Sequence, residues 1–161
     1  MNKKILYIRQ CRPAAEEAGK VFNMNPRVIL AQGALESGWG TSLLAVEHHN
    51  FFGIMGYGTA NAYWHGERAV LENARGIEFH FRHYSSLRMS FLDFARLIHT
   101  GYHRAWSFSR QPEVYAKEIA YSPYISELNH DNREVYRRNI VLLEEEIGRI
   151  IDWGEDMEVA A

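Results

Sequence analysis

Cysteine is almost missing from this sequence. Cys11 stands alone among 161 residues, so the chain makes no internal disulfide and folds independently of the redox compartment. It is expected to serve as a small residue near the start of the first helix. Long apolar runs are missing too: Ile140 to Leu143, the longest, is hemmed in by Arg137-Arg138 and Glu144-Glu145-Glu146, far short of the roughly 18 apolar residues that cross a bilayer. No membrane insertion is expected. Neither sign of charge dominates, since 18 Lys/Arg against 20 Asp/Glu leave a formal net charge of -2. That balance lacks the cationic field of a nucleic-acid binder, and equally the acidic excess that keeps chains unfolded. The basic start up to Ala14 has no continuous apolar centre, because Arg9, Gln10 and Arg12 break it. No signal peptide, and so no ordinary secretion, is expected.

Several chemistries are excluded by what the motifs lack. No internal repeat, low-complexity tract, glycine-rich phosphate fingerprint or cysteine-based metal spacing is present. Glu36-Ser37-Gly38 is not a nucleophile elbow, and no ordered Asp/His pair follows it. His48-His49, His80 and His83 invite a metal, as do His99 and His103 at helical spacing. Adjacent histidines diverge, however, and the helical pair has no HExxH glutamate and is interrupted by Gly101. No metal or cofactor is expected.

What the chain does have is length and apolar content for one compact domain, with 13% aromatic residues, many crowded with histidines between Phe51 and Trp106. Helical spacing covers Ala14 to Phe22. Asn25-Pro26 then opens a helix whose run Arg27 to Ser37 is almost wholly apolar and so mostly buried, with Gly33 and Ala34 allowing close approach. Ser42 to Val46 reads as a further short helix. From Phe51 to Tyr84, five glycines punctuate short aromatic and β-branched segments. Ala69-Val70-Leu71 and Ile77 to Arg82 read as strands, the second alternating Ile77, Phe79 and Phe81 against Glu78, His80 and Arg82. Helices resume at Ser90, where Ser90 and Asp93 have capping-box spacing, and at Pro112. A last helix follows a cap at Asp131 and Glu134. It carries a stripe of Tyr136, Ile140, Leu143, Ile147 and Ile150, leaves Glu144 to Glu146 on the solvated face, and frays beyond Trp153.

Glu36 ends the buried run and is followed at once by Ser37-Gly38-Trp39-Gly40. Such placement puts one carboxylate at the mouth of a core, where partial burial would keep some of it protonated near neutral pH. A general acid for glycosidic C–O cleavage requires that state. Pattern alone leaves a second reading open, an ordinary acid at a helix terminus.

The stretch ILAQGALESGWGTSLLAVEHHNFFGI resembles the catalytic motif of glycoside hydrolase family 73, the glucosaminidase group of bacterial peptidoglycan hydrolases that includes flagellar hydrolases and autolysins. Phe81-Arg82-His83-Tyr84-Ser85-Ser86 and Ser90-Phe91-Leu92-Asp93-Phe94 resemble two further family elements, and weaker similarity continues to Tyr124. The resemblance implies a lysozyme-like fold, mainly α with a small β-lobe. The whole chain, 1–161, would be one hydrolase domain, with a helical body of residues 13–50 and 88–153 and a lobe of 53–84. It makes Glu36 the general acid and the peptidoglycan glycan strand the substrate, cut after N-acetylglucosamine.

The family's second, lobe-borne carboxylate has no clean copy here. Glu72 is the first candidate, because it follows an apolar triplet at the expected distance before Phe81-Arg82; Glu67 and Glu78 are the others, and each alternatively forms only a surface ion pair. If none is needed, one acid acts alone, as in lytic transglycosylases. Phe51 and Phe52 are expected to be structural, whereas Trp39, Tyr57, Tyr63 and Trp64 are the candidate sugar platforms. Tyr124 resembles a family position whose hydroxyl orients the acetamido group or the attacking water; packing under the last helix is the alternative. A muramidase, or a glycan-binding module without catalysis, would use the same residues. The substrate places the protein's work in the cell envelope, so delivery by phage lysis or a specialised secretion route is expected, with a delivery or immunity protein as the candidate partner.

Overall fold

In a computed structural model of the chain, residues 2–126 and 132–160 are described, those from 158 onward by backbone alone. Seven helices and one hairpin follow in the order α1 Lys3–Phe22, α2 Pro26–Ser37, α3 Leu43–His48, β1 Arg68–Glu72, β2 Glu78–Arg82, α4 Leu87–Gly101, α5 His103–Ser107, α6 Pro112–Ala120 and α7 Arg133–Ala160.

The centre of the body is α2. Asn25 caps it by accepting from the Arg27 N–H, and Pro26 stands in the first turn, where no donor is missed. Every residue from Val28 to Ala34 is buried, all but Gln32 apolar or glycine, so the helix needs neighbours on all sides. α1 packs on one flank and α7 on another, while α4 lies against α1 and α6 against α7. At Gly33 an added Cβ would stand 2.5 Å from the Tyr7 hydroxyl and 3.2 Å from the Phe52 ring. The close approach expected there is thus made by one side chain of α1 and one of the loop after α3.

The first helix is longer than the sequence suggests, running from Lys3 instead of Ala14. Pro13 lies inside it on the exposed face, where water reaches the position of the lost ladder bond, while Tyr7, Ile8 and Cys11 point into the core. The basic start is therefore part of the folded body. Cys11 sits mid-helix, and burial pushes its thiol up to about 12.

The last helix carries the expected apolar stripe and continues to Ala160 without fraying at Trp153. The expected cap residue Asp131 lies outside the described residues. Glu144 is not on the solvated face: it is buried, with Oε1 2.9 Å from Arg27 Nε. Arg27 fits because Gly148 leaves room for its guanidinium.

Between α3 and α4 the chain builds the lobe. β1 and β2 form an antiparallel hairpin with Ala69 opposite Phe81 and Glu72 opposite Glu78. Residues 54–56 add a partial third strand on the other edge of β2, through Arg82 N to the Ile54 carbonyl, Gly56 N to the His80 carbonyl, and the Met55–Phe81 bridge. The alternation expected over Ile77 to Arg82 is not kept: burial rises from the tip of the hairpin to its base. Ile77 and Phe79 are 50% and 38% exposed, while Arg82 is 7% exposed. A two-stranded hairpin is covered only at its base, and there Arg82 finds a buried partner, Asp93 of α4. Asp93 is correspondingly not a capping residue: Ser86 caps α4 by accepting from the Met89 N–H.

Candidate active site

The chain leaves α2 abruptly, and that exit presents Glu36. Gly38 adopts φ +57° and returns its N–H to the Ala34 carbonyl, a left-handed cap that glycine takes without strain. Ser37 is buried and stitches the turn, donating to the Gly33 carbonyl and accepting from the Gly40 N–H. Opposite, buried Asn50 pegs the returning loop. Its Oδ1 accepts from the Phe52 and Ile54 N–H groups, and its Nδ2 donates to the Ile54 and Arg82 carbonyls. Phe52 stacks on Phe94 with centroids 3.9 Å apart, confirming a structural role for that ring. The pegged loop passes Gly53 beside Glu36, close enough that a Cβ there would be 3.8 Å from Oε2.

A cavity of about 460 Å³ opens at this place. It is lined by Leu35 and Glu36 from the end of α2, by Phe52 to Met55, and by Leu97, Tyr102, Tyr124, Ile125 and Tyr136. Among the described residues, Glu36 is the one charged side chain lining it. The expected part-burial of Glu36 is not found: at the end of its helix the residue is exposed at the cavity mouth.

Beneath Glu36 lies a polar network that the sequence reading missed. Tyr136 donates to Glu36 Oε1 at 2.7 Å, and its hydroxyl oxygen accepts from Gln32 Nε2 at 3.2 Å. Tyr115, wholly buried, donates to Gln32 Oε1. The Tyr124 hydroxyl is pushed up by burial and by the charge of Glu36. Tyr136 is raised for the same two reasons, and burial raises Tyr115. All three phenols therefore keep their protons at neutral pH. Spacing did offer one signal for this network, since Gln32 is a polar residue one helical turn before Glu36 in an otherwise apolar run. Tyr115 and Tyr136 scored as core rings, and nothing in a pattern of apolar spacing reports where a hydroxyl points.

The other expected site residues are spread more widely. Trp39 meets Tyr7 edge-on with centroids 5.7 Å apart and carries Lys4 Nζ over its ring, on the α1 side of α2. Tyr63 packs edge-on to Phe22. Trp64 is 2% exposed, with the Arg82 guanidinium 4.1 Å above its ring and its indole N–H bonded to the Glu67 carbonyl, so it has no open face for a sugar. Tyr57 is the exposed member of the four at 57%. Glu72 and Glu78 face each other at the hairpin tip, Glu78 with Oε2 3.9 Å from His80 Nε2; Glu67 Oε2 lies 3.8 Å from His83 Nε2. None of these three carboxylates lines the cavity. His48 and His83 meet through their Nδ1 atoms at 3.0 Å, and no group of three or more metal-ligating side chains occurs among the described residues.

The family model described as mannosyl-glycoprotein endo-beta-N-acetylglucosaminidase, Glucosaminidase, matches residues 12–143. The chain belongs to the Glucosaminidase family. Within it, the peptidoglycan hydrolase FlgJ of Pseudomonas aeruginosa is 30% identical over 134 residues, covering 75% of this chain and 32% of that protein. The chain thus spans about a third of the length of the curated relatives it matches. Solved structures share the fold. The glycoside hydrolase domain of Salmonella typhimurium FlgJ aligns with TM-score 0.75 at 23% identity, covering 99% of this chain and 97% of that one. A type VI secretion system effector-immunity complex from Pseudomonas protegens aligns with TM-score 0.63 at 15% identity, covering 91% and 94%. A glucosaminidase of mainly helical architecture with a small β-lobe, the fold expected from the sequence, is what the chain forms. No helix among the described residues is long and apolar enough to cross a membrane.

Proposed function

We propose that the chain hydrolyses the β-1,4 glycosidic bonds of bacterial peptidoglycan, after N-acetylglucosamine, with Glu36 as the general acid. The observation that carries this reading is the placement of Glu36. One carboxyl, and no other charge among the described residues, stands in a cavity walled by apolar and phenolic groups, on a rigid helix end and hydrogen-bonded from below by Tyr136. A glycan lying along the groove would cover the exposed Glu36 and supply the desolvation that the free site lacks.

The protonated carboxyl gives its hydrogen to the glycosidic oxygen as the bond to the anomeric carbon breaks and its electron pair stays with that oxygen. Water then adds its oxygen to the anomeric carbon and loses a proton. Glu72 is our candidate to take that proton, ahead of Glu67 and Glu78, which each have a histidine nearby. From the hairpin tip it would reach the groove by closure of the lobe on the glycan. Tyr124, on the cavity wall, would orient the acetamido group or the water. Tyr57, open to solvent beside the loop that lines the cavity, is the best placed of the four rings to stack on a sugar. A single charge lining the cavity among the described residues also suits a lytic transglycosylase, in which the muramic acid 6-hydroxyl takes the place of water.

The substrate sets the place of action in the cell envelope. Phage lysis or a specialised secretion route would deliver the protein there, and a fold shared with a chain of a type VI effector-immunity complex is compatible with an immunity protein as partner.

Digestion of purified sacculi, with the released muropeptides identified by mass, tests the reaction class. Reducing-end N-acetylglucosamine is expected. Anhydromuramic products would reassign the chain to the transglycosylases, reducing-end muramic acid to the muramidases, and binding without release to non-catalytic wall modules.

A further inference from the structure

We propose that Phe79, with Phe81 and Met55 beside it, is an outer platform on which the glycan strand lies as it leaves the cavity. This deepens the functional reading above and rests on it.

The register of the lobe puts these side chains on one face. Residues directly opposite each other in an antiparallel pair share a face, and so do residues two apart along a strand. Ala69 is opposite Phe81 and Leu71 opposite Phe79, and on the other edge of β2 Met55 bridges to Phe81. Hydrogen bonds flank that bridge, from Arg82 N to the Ile54 carbonyl and from Gly56 N to the His80 carbonyl, which makes it the pair type whose side chains stand closer together. The Phe79 and Phe81 rings follow with centroids 6.4 Å apart and planes 27° apart. Together they form an apolar strip from Met55 through Phe81 to Phe79, with Leu71 along its flank.

Two observations turn the strip toward the reaction. Met55 lines the same cavity as Glu36. Gly53, two residues earlier, has its open side toward Glu36, where a Cβ would stand 3.8 Å from Oε2, whereas Phe52 and Ile54 on either side of it are buried in the core. The strip therefore starts at the cavity and runs out along β2 toward the hairpin tip. Its members are open to solvent, Met55 at 37% and Phe79 at 38%. Apolar surface left in water contributes little to folding, and a contiguous patch of it marks a place where something binds.

The occupant follows from the size and chemistry of the site. A cavity of about 460 Å³ takes a ligand of drug size, so a polymer must continue over the surface beside it. A pyranose ring shows C–H groups on its faces and polar groups round its rim, and an open aromatic ring accepts such a face. The strip carries no charged side chain, which suits the sugar backbone better than charged peptide stems. A platform away from the breaking bond holds substrate and transition state equally, so it acts on KM and not on kcat.

The test is kcat and KM on glycan strands freed of their peptides and fractionated by length, for the wild type, Phe79→Thr and Phe79→Tyr. Threonine favours a strand and has no ring, whereas tyrosine keeps one. Phe79→Thr is expected to raise KM for long strands by about 3- to 10-fold with kcat little changed, and to leave both constants unmoved on the shortest strands that the wild type cuts. Phe79→Tyr should match the wild type on both. If Phe79→Thr does not fold, Phe79→Leu, which keeps apolar bulk without the ring, makes the same comparison. Wild-type KM on long strands in the ringless variant overturns the proposal. So does an equal loss on long and short strands, which would make Phe79 part of the packing of the lobe, and so does self-association that the variant abolishes, which would give the strip to a second copy. Failure of the functional reading is separate: it would show as no cleavage of strands of any length by the wild type, or as undiminished turnover in Glu36→Gln.

Discussion

Arg82 Nη1 donates to Asp93 Oδ2 across 2.8 Å at a point where neither side chain meets much water, 8% and 0% exposed. The pair joins the lobe to the body. From Arg82, Nε and Nη2 hold the Met55 and Tyr57 carbonyls, and the guanidinium lies over the Trp64 ring. Asp93 meanwhile accepts from Arg96, Tyr84 and Asn61, and Asn61 in turn holds the Tyr63 and Trp64 N–H groups. With little apolar core of its own, the lobe takes its position from this charged hub, and through Met55 so does one wall of the cavity.

Removing the charge should therefore loosen the lobe before it unfolds the body. Asp93→Asn leaves two arginines uncompensated and is expected to cost about 3–5 kcal/mol, the range for breaking a buried pair from one side. Denaturant titration measures the loss. Native-state hydrogen exchange should place the lost protection in β1, β2 and residues 54–64, with α2 and α7 least affected.

Acid should unfasten the same hub. Burial would push the Asp93 carboxyl up, but hydrogen bonds from Tyr84 and Arg96 and the charges of Arg96 and Arg82 outweigh it and hold it below the usual carboxylate range. A depressed folded value contributes stability that is fully present above the unfolded pKa of about 3.9 and is lost as pH falls through the lower, folded one. Denaturation midpoints taken from about pH 6 down to about pH 2 should fall more steeply below pH 4 in the wild type than in Asp93→Asn.

Gly33→Ala sets two effects against each other. Alanine favours the helix by about 1 kcal/mol, but its Cβ would press on the Tyr7 hydroxyl, which cannot swing away because it is buried and bonded to the Leu30 carbonyl at 2.7 Å. Overpacking of this kind costs about 1–3 kcal/mol, so a net loss of about 1 kcal/mol is expected in the thermal or denaturant midpoint. An alanine enzyme as stable as the wild type would mean that α1 can shift at no cost.

Much of this was legible in the sequence, and the misses have a common cause. Asn25-Pro26, Pro112 and the end of α2 at Ser37-Gly38 announce themselves through local chemistry, and the structure keeps all three. The place of Glu36 was legible because an acid closing an apolar helix is a local contrast, whereas its role as an acid came only from the family resemblance. Asp93, Arg82 and Trp64 were misread because their meaning lies in partners from three separate segments. Spacing alone gave Asp93 to a cap, Arg82 to a solvent face and Trp64 to a sugar. Phe79 and Ile77 show the limit of alternation, which marks a strand without saying whether anything covers its apolar side. Tyr136 was placed on the correct face of α7, yet the function of that face rests on one oxygen atom at its rim.

The central claim, that Glu36 carries the chemistry, is tested most directly by muropeptide release from purified sacculi by wild type and Glu36→Gln, with binding to the same insoluble wall measured alongside. The amide fills the same space and has no acidic proton to give. The account predicts that Glu36→Gln binds sacculi as the wild type does and releases fragments at least about 100-fold more slowly, the lower end of the range for a lost general acid. Equal release by the two proteins would contradict it.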